Sequence, residues 1–171
     1  MHDQPKYKPL ARSQFFADGR AARPLPQGTV ARGQLREDEL LFTGKVGGAF
    51  GEKLPVAVDL ALLQRGRERY GIYCTPCHGA TGDGDGMVVQ RGYRKPSSFH
   101  VDRLRNERAG YFFDVMTNGF GAMPDYAAQV SVNDRWAIVA YLRALQLSQH
   151  ATLEDVPADQ RAGLGGQAAE P

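Results

Sequence analysis

Cysteine is scarce: the 171 residues contain two, Cys74 and Cys77. Zinc sites built on three or four thiolates are therefore excluded, and a disulfide between residues this close in sequence would close a very small, strained ring. No apolar run approaches the roughly 20 residues that a membrane-spanning helix needs. Nor does charge of one sign dominate. With 21 basic and 19 acidic side chains the formal net charge is +2, a balance that gives no reason to expect a nucleic-acid partner. The opening residues, Met1 to Lys6, hold no apolar stretch that could act as a secretory signal.

What is present is the stretch Cys74-Thr75-Pro76-Cys77-His78, which reads C-x-x-C-H. A thioredoxin-like thiol pair would follow a strand and open a helix, whereas here a helical pattern runs into Cys74. The spacing is instead that of covalent haem attachment. Two thiols add to the two vinyl groups along one porphyrin edge, and the next residue, His78, is delivered to one face of the iron. One haem c, covalent through Cys74 and Cys77, is the expected cofactor. Covalent attachment takes place on the outer side of an energy-transducing membrane, so an extracytoplasmic location follows, and the sequence is expected to begin after a processed export segment.

Residues 1–56 are rich in Pro, Gly and Arg and poor in apolar periodicity. They carry spaced anchors, among them Tyr7, Leu10, Phe15, Phe16, Leu25 and Val30. Such a segment is either a disordered arm or an extended one that becomes ordered on a partner. From Asp59, a candidate N-cap, the spacing of Leu63, Gly66, Tyr70 and Tyr73 predicts a helix leading to Cys74. A second short helix is expected over 110–118, with Phe112, Val115 and Met116 on one face and Asn118-Gly119 as its stop. Ser131-Val132-Asn133-Asp134 opens a third, with Ile138, Tyr141, Leu142 and Leu145 as its stripe. The expected domain covers 57–149, and 150–171 reads as an irregular tail ending in Gly163, Gly165, Gly166 and Glu170-Pro171.

Several residues could supply the other iron ligand: Met87, Met116, Met123, His100 and His150. Met87 is close to His78 in sequence, Met116 lies on a packed helix face, and His150 follows the last helix. His100 would give a bis-histidine haem of lower potential. Met123 is the preferred ligand, because it leaves a helix stop in a glycine-rich loop and precedes Pro124. A His78/Met123 pair fills both axial positions and raises the reduction potential, which equips the haem to move electrons. The Pro96 carbonyl is a candidate acceptor for the second His78 nitrogen. Arg94 and Lys95 either pair with haem propionates or remain solvated. The glycine-aspartate run 79–86 lacks the later carboxylate of a calcium loop and reads as a tight turn under the haem edge. No proton-transfer dyad or nucleophile with a matching base stands out, so a catalytic site of the chain's own is not expected.

With these residues in place, the domain resembles a class I c-type cytochrome. That resemblance implies an all-α fold of three main helices around the haem, preceded here by a long extended N-terminal arm. In that family the first and last helices cross, and Gly66 and Tyr70 against Tyr141 would be the counterparts. A narrower resemblance rests on Gln4-Pro5-Lys6-Tyr7, Phe15-Phe16-Ala17-Asp18-Gly19, Gly28-Thr29-Val30-Ala31-Arg32-Gly33, Ser98-Phe99-His100 and residues Asp134 to Tyr141. These segments look like the monohaem cytochrome c subunit of bacterial alternative complex III, a membrane quinol oxidoreductase with iron-sulfur clusters and several c haems. It implies multihaem and iron-sulfur subunits as partners, delivery to an oxidase or soluble carrier, and a place at the periplasmic side of the bacterial inner membrane. Membrane contact would be indirect or through a lipid anchor upstream of this sequence. A free periplasmic shuttle, and a haem enzyme or sensor with an open iron site, are the alternatives.

Overall fold

The computed structural model describes residues 4–161 and Gly163. The expected features at Met1 to Asp3 and from Gly165 to Pro171 lie outside the described residues. The chain divides into two compact units, one up to Glu37 and one from Asp38 onward.

The first unit has little regular structure. Residues 11–21 fold back on themselves through Ser13 N to Gly19 O (2.9 Å) and Ala21 N to Ala11 O (3.0 Å). Just past that loop, Arg23 pairs back with Asp18 at 2.7 Å and lies over the Phe16 ring at 4.1 Å. Tyr7, Leu10, Phe15, Leu25 and Val30 are all exposed, Leu10 at 93%. These side chains find no core within their own unit.

The second unit runs in the order α1 (Glu39–Thr43), β1 (Lys45–Val46), β2 (Ala49–Phe50), α2 (Leu60–Tyr73), α3 (Thr75–His78), α4 (Met87–Gln90), α5 (Asp102–Arg105), α6 (Ala109–Asn118) and α7 (Val132–His150). A 3-10 turn, Leu153–Asp155, and α8 (Ala158–Arg161) follow. The fold is that of an all-α class I cytochrome domain, with α2, α6 and α7 as the main helices. The tail, expected to be irregular, carries these two single turns, the first of them capped reciprocally by Thr152 and Asp155. The expected boundary at 56/57 meets a structural division at Glu37/Asp38 instead. Asp38 caps α1 by accepting from Leu41 N at 2.8 Å, and the Leu41 carbonyl accepts from Trp136 Nε1 at 2.8 Å. The antiparallel β1-β2 hairpin, registered Lys45 to Phe50, is fastened to the start of α6 by Gly110 N to Gly51 O at 2.9 Å. Residues 38–56 thus belong with the helices.

Sequence dictates the central crossing. Asp59 caps α2 by accepting from Leu62 N, and Ser131 caps α7 by accepting from Asp134 N. Where the two helices meet, a Cβ on Gly66 would stand 2.0 Å from the Ala137 carbonyl oxygen and 2.8 Å from Tyr141 Cβ. Only a glycine lets the backbones approach so closely. One turn on, the Tyr70 and Tyr141 rings lie 5.4 Å apart. Arg65 binds Asp134 with two nitrogens, at 2.6 and 3.1 Å, tying the same helices at their edge. In α7 all six residues from Arg135 to Ala140 are buried, more than the apolar stripe predicts. The helix is enclosed by α2 on one side and by α6 on another, where Phe113 stacks on Trp136 at 4.5 Å.

Candidate haem site

Tyr73 ends α2, and the next residues turn once more: Cys77 N and His78 N both donate to the Cys74 carbonyl, at 3.1 and 2.8 Å. Residues at i, i+3 and i+4 of a helical turn share a face. Cys74, Cys77 and His78 accordingly all line one cavity of about 340 Å³. Its walls are apolar, with Tyr70 and Tyr73 from α2, Phe112, Val115 and Met116 from α6, and Ile138 and Leu142 from α7. The loop 79–86 closes under the turn, with Gly84 N donating to His78 O at 2.8 Å and the Tyr70 hydroxyl donating to Gly79 O at 2.7 Å. Gly79, Gly82 and Gly84 in this run take positive φ (+77°, +87° and +77°), as its tight turning requires.

Burial sets the chemistry of these groups. It pushes the Cys74 thiol up to about 12 and brings the His78 imidazole down to about 4. A thiol held protonated is a poor thiolate redox centre, and a neutral imidazole is in the state that ligates iron. Nδ1 of His78 is buried with no hydrogen-bond partner. The bond expected from His78 to the Pro96 carbonyl is therefore not made. The His78 ring instead stacks on Phe99, centroids 4.6 Å apart and planes 16° apart, while Pro96 O lies against Gly84. Pro96 and Arg94 do line the cavity, as do Lys95 and Arg103.

Phe99 is the site residue that the apolar pattern did not single out. Its carbonyl accepts from the buried Gln146 side chain at 2.8 Å, its N–H donates to Gly82 O at 2.9 Å, and its ring meets Tyr70 and Phe112 edge-on. Gln146 was the available signal, a polar residue on the inner side of an apolar helix, buried where it needs a partner.

Of the five candidates for the second ligand, the structure brings two to the cavity, Met123 and Met116. Met87 is exposed and lines none of it. His100 Nε2 is engaged with Thr81 O at 2.7 Å, and its ring stacks on His150 at 5.8 Å, outside the cavity. Met116 is a core residue on α6. Met123 sits on a two-residue hairpin in which Phe120 and Met123 exchange backbone hydrogen bonds at 3.0 Å each. Gly119, at φ +79°, permits that loop: a Cβ there would stand 2.7 Å from Met123 O and 3.1 Å from Asp125 N. Tyr126 N closes the loop back onto Met116 O at 2.8 Å.

Two thiols on one turn, a neutral histidine beside them, thioethers across the cavity and an apolar wall make a donor set that fits a haem c. Residues 61–142 match the family model described as cytochrome c oxidase, cbb3-type, subunit III. This is a monohaem c-type cytochrome domain. Its haem is covalent, and Cys74 and Cys77 are the two cysteines in the sequence that can carry it. When bound, the haem supplies a one-electron Fe(II)/Fe(III) couple. Around it the chain's residues exclude water, through Phe99, Phe112, Ile138 and Leu142, and hold the His78 ring in one plane through Phe99. Cytochrome c domains are extracytoplasmic, and among the described residues no helix is long and apolar enough to cross a membrane.

No curated protein matches the chain. Among solved structures it is similar to a Kuenenia stuttgartiensis reducing HAO-like protein complex, at 23% identity and TM-score 0.48, covering 63% of this chain and 54% of that one. The chain thus spans about half the length of that structure. It is also similar to the KustC0563 c-type cytochrome, at 17% identity and TM-score 0.41, covering 47% of this chain and 96% of that one. A third is cytochrome CL from the marine methylotrophic bacterium Methylophaga aminisulfidivorans, at 16% identity and TM-score 0.42, covering 67% and 71%. The cytochrome reading rests on the site and the family match.

Proposed function

We propose that the chain is the monohaem electron-transfer subunit of a membrane quinol oxidoreductase of the alternative complex III type. In this reading His78 and Met123 are the axial ligands. Electrons arrive from neighbouring multihaem and iron-sulfur subunits and leave to a terminal oxidase or a soluble carrier. The subunit is held at the periplasmic side of the inner membrane by its neighbours or by a lipid anchor upstream of this sequence. The supporting observation is the first unit: Tyr7, Leu10, Phe15, Leu25 and Val30 stand exposed on a segment that builds no core of its own. Exposed aromatic and aliphatic anchors spaced along such a segment are what a partner-wrapping arm requires. The Gly28 to Gly33 stretch, turned by Thr29 N and Oγ1 on Pro26 O at 3.2 and 2.7 Å, belongs to that arm and has no use in a free carrier.

Tagged chain purified from detergent-solubilised membranes tests the assignment. Recovery with multihaem and iron-sulfur subunits and with quinol-oxidising activity is expected. Recovery of the chain alone, from a membrane-free extract, would make it a free shuttle. A reduced protein that binds carbon monoxide without denaturation would place it among open-site haem proteins.

A further inference from the structure

The last helix carries a cation that the site as described does not use. Arg143 lies on α7, half-buried and outside the cavity lining. Its Nη1 donates to Arg105 O at 3.2 Å and to the Gln146 side-chain oxygen at 2.8 Å, and its Nη2 donates to Glu107 O. All three acceptors are uncharged oxygens. Among the described residues no carboxylate lies within ion-pairing distance of this guanidinium, although Arg65, Arg69, Lys45 and Arg108 in the same domain all have acidic partners. Burial pushes the Arg143 pKa down, and the charge of the Glu107 carboxylate acts the other way. A guanidinium stays protonated under both influences. Tying residues 105–107 to α7 accounts for the donors. It does not account for a permanent charge, which costs free energy to desolvate and is not neutralised.

Two routes lead from this cation to the haem site. The first is polar. Arg143 can only donate, so the amide oxygen of the buried Gln146 faces it. That orientation turns the amide nitrogen toward Phe99 O at 2.8 Å and Leu104 O at 3.3 Å, and the Phe99 ring is the one that stacks on His78. The second route is aromatic. The guanidinium carbon lies 5.0 Å from the centroid of the Phe112 ring. Phe112 lines the cavity and meets Phe99 edge-on at 6.3 Å.

We propose that Arg143 is a positioning residue with two effects on the haem: through Gln146 and Phe99 it sets the plane of the His78 ring, and through its fixed charge against Phe112 it raises the reduction potential. The inference takes His78 as the axial ligand, as proposed above, and does not depend on the membrane complex. A ferric haem holds one more positive charge than a ferrous one. An unneutralised cation nearby, in surroundings of low polarity, therefore favours the ferrous state.

The test measures the midpoint potential by spectroelectrochemical titration, and the electron paramagnetic resonance spectrum of the ferric form, on the full-length haem-loaded protein. One electron passes from a reduced mediator to ferric haem, giving oxidised mediator and ferrous haem. Arg143→Gln removes the charge. It should shift the equilibrium with a mediator of fixed potential about tenfold toward ferric haem, which is about 59 mV for one electron, and change the g-anisotropy. Arg143→Lys keeps the charge and replaces the planar fork by a single ammonium, so the potential should stay near the parent's while the g-anisotropy changes. Gln146→Leu removes the clamp on Phe99 and leaves the cation, with the same expected result. Glu107→Gln removes the opposing carboxylate charge and should raise the potential; this conservative change keeps the charge effect testable if Arg143→Gln fails to load haem. A potential unmoved in Arg143→Gln or in Glu107→Gln, or lowered as far in Arg143→Lys as in Arg143→Gln, would overturn the charge effect. Unchanged g-values in Arg143→Lys and Gln146→Leu would overturn the positioning effect. A parent ferric spectrum without histidine ligation would instead refute the axial-ligand reading beneath both.

Discussion

Two thioethers reach the cavity, and they differ in how they are held. Met116 is packed in the core on α6, whereas Met123 rides a two-residue hairpin whose backbone is fixed at both ends. A ligand needs a side chain free to leave the wall and a backbone that does not move, which favours Met123. Met123→Leu should therefore abolish the methionine-to-iron charge-transfer band of the oxidised protein, lower its reduction potential and admit carbon monoxide to the reduced form. Met116→Leu, a near-isosteric core change, should leave the band in place and cost less than about 1.5 kcal/mol of stability. The reverse pattern would exchange the two residues' roles. On the other side, Phe99 is clamped by Gln146 and Gly82 and stacks on His78. Phe99→Leu keeps the volume roughly and removes the stack. The expected result is a changed g-anisotropy in the electron paramagnetic resonance spectrum, restored by Phe99→Tyr, because the plane of the ligand ring is no longer set. A purely structural role would leave that spectrum alone.

At the scale of elements, the α2–α7 crossing holds the wall of the site, and its geometry hangs on one missing side chain. Gly66→Ala sets a methyl 2.0 Å from the Ala137 carbonyl. The helices must separate, at a cost of about 1–3 kcal/mol or more from overpacking, seen as a lower urea midpoint. The polar tie beside it responds to pH. Its hydrogen bonds to Arg65 hold the Asp134 carboxyl below its ordinary value of 3.8. The folded state therefore keeps this group ionised to lower pH than the unfolded chain does. The pair stabilises fully above 3.8 and its contribution is lost as pH falls through the lowered value. Asp134→Asn should be less stable than the parent at pH 7, with the difference vanishing in acid, as urea titrations at several pH values would show. These helices were legible because their caps at Asp59 and Ser131 and the spacing from Leu63 to Tyr73 are local signals. The enclosure of α7 was not, since a helix buried on several sides loses the periodicity that marks a single apolar face. The His78–Phe99 stack was equally hidden, because it joins a turn to a loop that no repeat connects.

The whole molecule poses a question of division. Composition drew the boundary at residue 56, since Gly44 to Gly51 looks like the glycine-rich segment before it. The chain folds otherwise, because Leu40, Leu41 and Phe42 lie within one capped turn whose Leu41 carbonyl satisfies the indole N–H of a fully buried Trp136. An unpaired indole in the core would cost roughly 1–3 kcal/mol, so residues 38–56 are part of the haem domain's stability and not of the arm. Two truncations separate the alternatives. Removing residues 1–37 should leave the haem spectrum and thermal midpoint of the remaining chain close to those of the full protein, because no core residue is lost. Removing residues 1–56 also deletes α1 and the hairpin, strips the partner from Trp136 and uncovers α6. That chain should melt well below the first, by more than 5 °C for a domain of this size if about 2 kcal/mol is lost. If the arm docks the subunit as proposed, the shorter truncation should also release an intact, redox-active cytochrome from its membrane complex. Equal melting of the two truncated chains would return the boundary to residue 56, and retention of the shorter truncation in the complex would assign docking to the haem domain alone.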